Sequence, residues 1–320
     1  MLDVFFTVDV EIWCDGWHLI DARFPKAFQK YIYGPTLKGS FGLPFQCEVL
    51  RDHGLKGVFF VEPLFSARFG QGPLAEIVGI LNSFDQETQL HLHTEWVDEA
   101  LHALLPTAGP KRQHLRYFSR CEQTILIQRG AEMLCQAGAR NVTAFRAGSF
   151  AFNRDTLLAL FDNGIAFDSS YNASMFGTDS GVMPGVQMVE PFLCDGVHEY
   201  PMTVFSDGTN RLRHAQLTSC SFREIEGLLW QALEHGRKSI VLLSHSFELL
   251  NSSKNRSDPV VLGRFRRLCA FLDKNRDCFR VSGFYDLSPT DVSSQPAPLV
   301  SPLYRTGMRM AEQAYRMRFQ

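Results

Sequence analysis

The sequence contains no C-x-x-C pair, although it holds eight cysteines in 320 residues. Cysteines spaced in this way do not form the usual all-thiolate zinc sites. Several of them lie in apolar periodic segments, which is typical of buried free thiols in a reducing compartment. The pattern therefore argues against a small secreted scaffold held together by disulfides.

Signatures of nucleotide and nucleic-acid binding are also missing. No G-x-G-x-x-G follows the first predicted strand, and the chain has no Walker-type loop. The formal net charge is -2, so bulk positive charge does not predict a nucleic-acid partner.

The sequence has no apolar run as long as a membrane span. Its first residues, MLDVFFTVDVEIW, include Asp3 and have no basic lead-in, unlike a signal peptide. We therefore expect a cytoplasmic protein.

What the chain does have is an ordinary globular composition, with 45% hydrophobic and 21% charged residues. Predicted strands cover residues 4–10, 56–62, 88–93, 141–148, 165–171, 238–246 and 278–284. Predicted helices cover residues 73–84, 117–138, 154–163, 222–235 and 259–275. This alternation predicts an α/β fold with parallel strands, and both a barrel and an open doubly wound sheet fit it.

Near its end the chain changes character. We predict one domain over residues 1–287, a Pro/Ser-rich linker over 288–302 and an amphipathic helix over 303–320. The helix would place Tyr304, Met308, Ala311 and Tyr315 along one side. Two interpretations stay open: a tail helix packed on the body, or a helix that contacts a membrane surface or a partner.

Polar side chains lie at or near the ends of several predicted strands, where α/β proteins bind their ligands. They are Asp9, Glu11, His91, His93, Glu95, Arg146, Asp168 and His245. In QLHLHTEW, a strand would turn its two histidines and its glutamate to one face, because alternate strand residues share a face.

This set contains the parts of a metal hydrolase. Neutral imidazoles and a carboxylate suit zinc or a similar divalent ion. Such an ion lowers the pKa of a bound water, a second carboxylate can accept that water's proton, and another histidine can protonate the leaving group.

Five segments resemble the polysaccharide deacetylase family in order and approximate spacing: FFTVDVE, QLHLHTEW, FRAGSF, FDSSYN and LLSHSFE. That family comprises metal-dependent carbohydrate de-N-acetylases and related C–N hydrolases. The resemblance covers about residues 2–286, and it implies a distorted (β/α) barrel.

The resemblance also implies catalytic roles for four residues. Asp9 matches the catalytic base, Arg146 the arginine that orients this base, and His245 the general acid. Asp168 belongs to the motif that shapes the pocket.

For the metal, the resemblance implies Glu11 and His93 as ligands of one divalent ion. The family usually has a second histidine four residues after the first, where this chain has Val97. His91 is our replacement, because it would share a strand face with His93, and Glu95 is the other candidate. We expect zinc, with cobalt and nickel as alternatives.

The implied substrate is an N-acetylated amino sugar or a glycan precursor, for example one linked to a nucleotide or a lipid. Trp13, Trp96 and Tyr171 are candidates for stacking on the sugar, although core packing is the commoner use of such residues. Two other functions stay open: a hydrolase of cyclic amides, and an inactive carbohydrate-binding relative, which Val97 would favour. Peripheral contact with the inner membrane leaflet through the C-terminal helix is part of the same prediction.

Overall fold

The computed structural model describes residues 1–106, 109–175, 180–209, 211–292 and 294–319. Its strands are β1 (Leu2–Val10), β2 (Pro35–Thr36), β3 (Gly39–Ser40), β4 (Val58–Val61), β5 (Glu87–Leu92), β6 (Ala144–Ala147), β7 (Phe167–Asp168), β8 (Phe192–Cys194), β9 (Val197–Glu199), β10 (Val204–Ser206), β11 (Leu212–His214), β12 (Ser239–His245), β13 (Phe279–Val281) and β14 (Leu299–Val300). Its α-helices are α1 (Ile20–Phe28), α2 (Leu43–Asp52), α3 (Ser66–Phe69), α4 (Gln71–Ser83), α5 (Arg120–Gln136), α6 (Arg154–Asp162), α7 (Phe222–Glu234), α8 (Pro259–Lys274) and α9 (Leu303–Phe319).

The chain divides into two compact units. Unit 1 comprises Met1–Gly57, Thr203–Ser282 and Ala297–Gln320, and unit 2 comprises Val58–Met202 and Gly283–Pro296. Gln320 and Ser293, which belong to the predicted C-terminal helix and linker, lie outside the described residues.

Unit 1 is built on β1, which is almost entirely buried. Strand β12 runs parallel to it from the pair Asp3↔Ser239 to the pair Asp9↔His245. Strand β13 pairs in parallel with the first residues of β1. Apolar residues fill β1 and β12 because strands buried on both faces have no polar side to present. This pairing brings the carboxyl ends of β1 and β12 level with each other.

Unit 2 contains the parallel run β4-β5-β6-β7-β9, with β8 antiparallel at its edge. Its register places His91 beside Arg146 and Asp168 beside Glu199. The polar residues at the ends of these strands are therefore neighbours within this sheet.

Helix ends follow the local signals in the sequence. Asn153 and Ser221 each accept a hydrogen bond from the backbone N–H three residues on. Ser119 does the same for α5, so this helix begins at Arg120, three residues after its predicted start. Gly138, with φ +100°, ends it in a conformation that favours glycine.

Some elements differ from the predictions. β5 ends at Leu92, and Thr94–Glu99 form a 3-10 helix, so Glu95 does not continue the strand as expected. The helices α1 and α2 and the π-helical turn Gln29–Tyr33 are not among the predicted elements.

The C-terminal helix α9 is anchored in unit 1 by its arginines. The guanidinium of Arg309, which is 1% exposed, donates to Glu224 and Asp207 at 3.0 and 3.2 Å. Arg316 donates to Asp258 at 2.7 Å. No helix in the described part of the chain has both the length and the apolar character that a membrane span needs.

Candidate active site

Three predicted site residues cluster in unit 1. Asp9 and His245 are partners at the ends of β1 and β12, and Glu11 follows two residues after Asp9. The carboxylate and imidazole atoms of Asp9, Glu11 and His245 lie within 4.8 Å of one another. Asp9 and Glu11 are 3% and 7% exposed, so both carboxyl groups are buried, while His245 is half-buried. Buried charges are costly unless they are paired, which makes such a cluster a candidate for function.

Glu11 has a fixed orientation within this cluster. The indole N–H of Trp13 donates to one carboxylate oxygen of Glu11 at 2.7 Å. The other oxygen lies 3.8 Å from Nε2 of His245. Trp13 is half-buried and packs edge-on against Trp17, with ring centroids 6.1 Å apart. The indole N–H of Trp13 therefore helps to fix the orientation of the Glu11 carboxylate.

The ring of His245 is hydrogen-bonded to a residue that the sequence analysis did not single out. Its Nδ1 donates to the carboxylate of Glu248 at 2.8 Å. Burial opposes the charged form of His245, but the hydrogen bond to Glu248 and the negative charges of Glu248, Glu11 and Asp9 outweigh it and raise the pKa to about 9. An H-x-x-E spacing at the end of a strand is the sequence signal that points to Glu248.

Two imidazoles occupy the end of β5 in unit 2. Nδ1 of His91 donates to the backbone oxygen of Arg146 at 2.8 Å, and Nδ1 of His93 donates to the carboxylate of Glu95 at 3.3 Å. The rings are 4.8 Å apart between centroids. Both tautomers therefore carry their lone pair on Nε2, which is the arrangement of histidines that bind metals. These donors fit a divalent ion such as zinc.

The carboxylate of Glu95 contacts His93 at Nδ1, the ring nitrogen that is not the proposed metal ligand atom. Burial would raise the pKa of Glu95, but the hydrogen bond from His93 outweighs it and lowers this pKa below its usual value. A carboxylate on the Nδ1 side of a histidine orients the ring and increases its basicity. This position fits an orienting role for Glu95.

Glu62 is a further buried carboxyl group in the same unit. It follows β4, is 1% exposed, and accepts a hydrogen bond from the backbone N–H of Leu64 at 2.8 Å. Burial raises its pKa to about 8, against the opposing effect of His93. Its signal in the sequence is the single acid that ends the apolar run KGVFFVE.

Arg146 is fully buried at the end of β6. Its guanidinium donates to the backbone oxygen and the hydroxyl of Ser169, each at 3.1 Å, and lies over the ring of Phe60. The predicted pairing of Arg146 with Asp9 stays a prediction.

Asp168 forms a carboxyl pair with Glu199. Burial raises the pKa of Asp168 to about 6, and burial together with the charge of Asp168 raises that of Glu199 well above its usual value. Ser170 donates to Asp168 at 2.6 Å. Ionisation of one of these two buried carboxyl groups therefore opposes ionisation of the other.

Two of the predicted sugar-binding residues lie in the interior. Trp96 and Tyr171 are each 1% exposed. Trp96 packs edge-on against Phe65 and Phe69, and Tyr171 against Phe152 and Phe192. Both rings pack among other aromatic side chains, and their predicted contact with a sugar stays a prediction. Trp13 keeps partial exposure.

Comparison with solved structures finds the same fold in another protein. The chain is similar over 92% of its length, and over 95% of that protein, to a "putative polysaccharide deacetylase" from Mycobacterium smegmatis, with 20% identity and a TM-score of 0.53. No family model matches the chain, and no curated protein sequence matches it significantly.

More distant similarities are to a family 4 carbohydrate esterase from Streptomyces lividans and a family 4 pseudoenzyme from Bacillus anthracis. The first has 12% identity over 88% of this chain and 91% of that one, with a TM-score of 0.44. The second has 13% identity over 83% and 60%, with a TM-score of 0.39. The similarity to the mycobacterial protein confirms the resemblance at the level of the fold: the chain has the distorted (β/α) barrel fold of the polysaccharide deacetylases.

Proposed function

We propose that the protein is a metal-dependent hydrolase that removes the N-acetyl group from an amino sugar or a glycan precursor. The observation that carries this proposal is the buried cluster of Asp9, Glu11 and His245 at the ends of two parallel strands. It combines a carboxylate that can accept a proton with a histidine that can donate one, which amide hydrolysis requires. The fold shared with the mycobacterial protein supports the reaction class.

Glu11, His91 and His93 are the proposed ligands of one divalent ion, with zinc first and cobalt or nickel as alternatives. The support for His91 and His93 is their tautomer, which points to Nε2 as the ligand atom. The support for Glu11 is a carboxylate kept in place by Trp13. When bound, such an ion supplies Lewis acidity toward the acetamide oxygen and the attacking water.

The remaining steps fall to side chains of the chain itself. Asp9 accepts a proton from the attacking water. His245 donates its proton to the departing amine, and Glu248 holds its ring for this transfer. Arg146 is proposed to orient the base, and Asp168 to shape the pocket. The products are acetate and a free amine.

The first test is the metal content of the purified protein. We expect about one equivalent of zinc, cobalt or nickel, which His93→Ala should lose. His235→Ala is the control, because His235 is exposed at the end of α7. No metal after reconstitution at neutral pH would contradict the metal-dependent mechanism.

The second test is acetate release from N-acetylated amino sugars by the metal-loaded protein. Asp9→Asn should reduce this rate by roughly 10²–10⁴-fold while the metal stays bound. Asp162→Asn is the matched control, because Asp162 pairs with Arg120 at the surface. An active Asp9→Asn protein would remove Asp9 from the mechanism.

A second candidate function rests on Val97, which stands where the family usually has a metal-binding histidine. It is an inactive carbohydrate-binding protein. This alternative predicts sugar binding that chelators leave unchanged and no acetate release. A panel of cyclic amides tests the third possibility, hydrolysis of a ring C–N bond.

A further inference from the structure

A cavity of about 660 Å³ opens in unit 1 beside the loop that follows β1. Its lining includes the cationic side chains of Arg23, Lys26, Lys30 and Lys254. Asp15 is the one acidic residue among the described residues that line it. The cavity is therefore positive, although the whole chain has a net charge of -2.

The contacts of Arg23 and Lys30 leave most of this positive charge uncompensated. Nζ of Lys30 is 3.6 Å from the carboxylate of Asp15, but that side chain is 74% exposed, so the pair is weak. Arg23 donates to the backbone oxygens of Asp15 and Cys14, which carry no formal charge. An anion entering the cavity would meet these cations.

Lys254 is placed deeper than an ordinary surface lysine. Its Nζ lies 4.8 Å from the ring centres of both Tyr31 and Phe247. Burial and the nearby charge of Lys30 lower its pKa. A bound anion would favour the charged form of Lys254, because it would offset the repulsion from the charge of Lys30.

The cavity adjoins the proposed catalytic cluster. Phe247 packs against Tyr31 on one side, with ring centroids 5.0 Å apart, and against His245 on the other, at 5.3 Å. One aromatic ring thus separates Lys254 from His245. Cys14 in the lining lies three residues after Glu11. A group attached to the sugar at the reacting centre would lie near these cations.

We propose that this cavity binds a diphosphate group of the substrate, so that the substrate is an N-acetylated amino sugar joined to a nucleotide or a lipid through a diphosphate. A ligand with a single carboxylate would not need four cationic side chains. A diphosphate, in contrast, offers several charged oxygens to lysine and arginine donors. The volume lies in the range of small-ligand pockets. The identity of the sugar rests on the proposed function, but the anion site stands on the cavity alone.

Titration calorimetry with inorganic pyrophosphate at low salt tests the site without any catalysis. We expect saturable binding that Lys30→Ala and Lys254→Ala each weaken roughly tenfold, as the loss of a charge-assisted hydrogen bond would. Lys274→Ala, at the exposed end of α8, should bind like the wild type. Equal binding by all four proteins, or no binding, would overturn the proposal.

The His93→Ala protein separates this site from the proposed metal centre, because pyrophosphate also binds metal ions. Its affinity for pyrophosphate should stay that of the wild type. Loss of binding in this variant would place the anion on the metal and overturn the cavity as the site.

Displacement identifies the source of the diphosphate. Uridine diphosphate in solution, or a polyprenyl diphosphate in phosphatidylcholine vesicles, should displace pyrophosphate, and the effective competitor tells a nucleotide-linked from a lipid-linked substrate. If neither displaces it, the diphosphate substrate is excluded. Displacement without acetate release from the corresponding N-acetylated sugar would refute the proposed function and leave the anion site intact.

Discussion

The hydrogen bond between His245 and Glu248 favours the protonated form of the His245 imidazole at neutral pH. A histidine with its ordinary pKa is mostly neutral at pH 7.5. The carboxylate on Nδ1 and the nearby Asp9 and Glu11 raise the pKa to about 9, so His245 stays protonated at that pH. The proposed general acid must carry its proton before the leaving group departs, and the carboxylate of Glu248 favours this protonated form of His245.

Replacing Glu248 with glutamine tests this role. Glutamine keeps the size and can still accept from Nδ1, but it removes the charge that favours the imidazolium. The pKa of His245 should therefore fall by about one unit or more, and the alkaline limb of acetate release should move to lower pH by a similar amount.

The measurement is the pH profile of acetate release by metal-loaded Glu248→Gln and wild type. Glu226→Gln is the control, because Glu226 pairs with Arg223 on the surface of α7. A profile identical to that of the wild type would show that Glu248 does not set the proton on His245.

Individual residues show what their sequence context can and cannot predict. Asp9, Glu11 and His245 could be placed together because parallel strands bring their carboxyl ends to one edge. The burial of Trp96 could not be predicted from its neighbours in the sequence, because it depends on packing against Phe65, which lies 31 positions away in the chain. Pattern alone does not tell a surface aromatic from a core one.

At the scale of elements, α9 is held by buried charge. Arg309 forms salt bridges with Glu224 and Asp207, and each of the three side chains is at most 3% exposed. Removing one member of such a buried set leaves the others without compensation. We therefore expect Arg309→Ala to lower the free energy of unfolding by about 3 kcal/mol.

Urea denaturation of Arg309→Ala beside Arg318→Ala measures this cost. Arg318 is exposed near the end of the same helix, so its loss should change stability by less than about 0.5 kcal/mol. Equal stability of the two variants would mean that α9 contributes little through Arg309.

The start of α5 should make stability depend on pH. The hydrogen bond from Arg112, with those from Ser119, outweighs burial and lowers the pKa of Glu122 to about 2. Because the folded pKa is depressed, the stabilisation is present above the unfolded value near 4.5 and is lost as the pH falls through about 2. Glu122→Gln should cost about 1 kcal/mol at pH 7, after allowance for solvent screening, and progressively less below pH 4.5.

Denaturation curves of wild type and Glu122→Gln at pH 7, 5 and 3 give the difference directly. Glu132→Gln, farther along α5 with 42% of its side chain exposed, is the control for a surface carboxylate. A cost that does not shrink toward pH 3 would contradict an ionised Glu122 as its origin.

Elements with local signals were predictable, and those without were not. The capping residues Asn153 and Ser221 mark α6 and α7 because a side-chain acceptor satisfies an orphan backbone N–H. The helix α1 has Leu19 at its N-cap position, without a side-chain cap, and it contains Pro25, so its sequence does not look helical. The 3-10 helix that follows β5 and contains Glu95 likewise has no glycine or proline that would predict the end of the strand.

For the whole molecule, the proposed ion should be coupled to folding. Any ligand that binds the folded chain alone stabilises it by mass action, by about 2.7 kcal/mol at a concentration of one hundred times Kd. Ligand nitrogens that β5 and its following turn fix in position are not arranged in the unfolded chain. Metal-loaded protein should therefore melt a few degrees higher than protein stripped with a chelator.

Thermal unfolding of loaded and stripped protein measures this coupling, and two variants sharpen it. His93→Ala should melt at one temperature with or without added zinc, because it lacks a proposed ligand. His235→Ala should keep the whole difference seen in the wild type. A wild-type Tm that added zinc leaves unchanged would mean that the imidazoles of β5 are not joined by an ion in the folded state. The inactive carbohydrate-binding alternative would then be favoured, because it needs the fold but no metal.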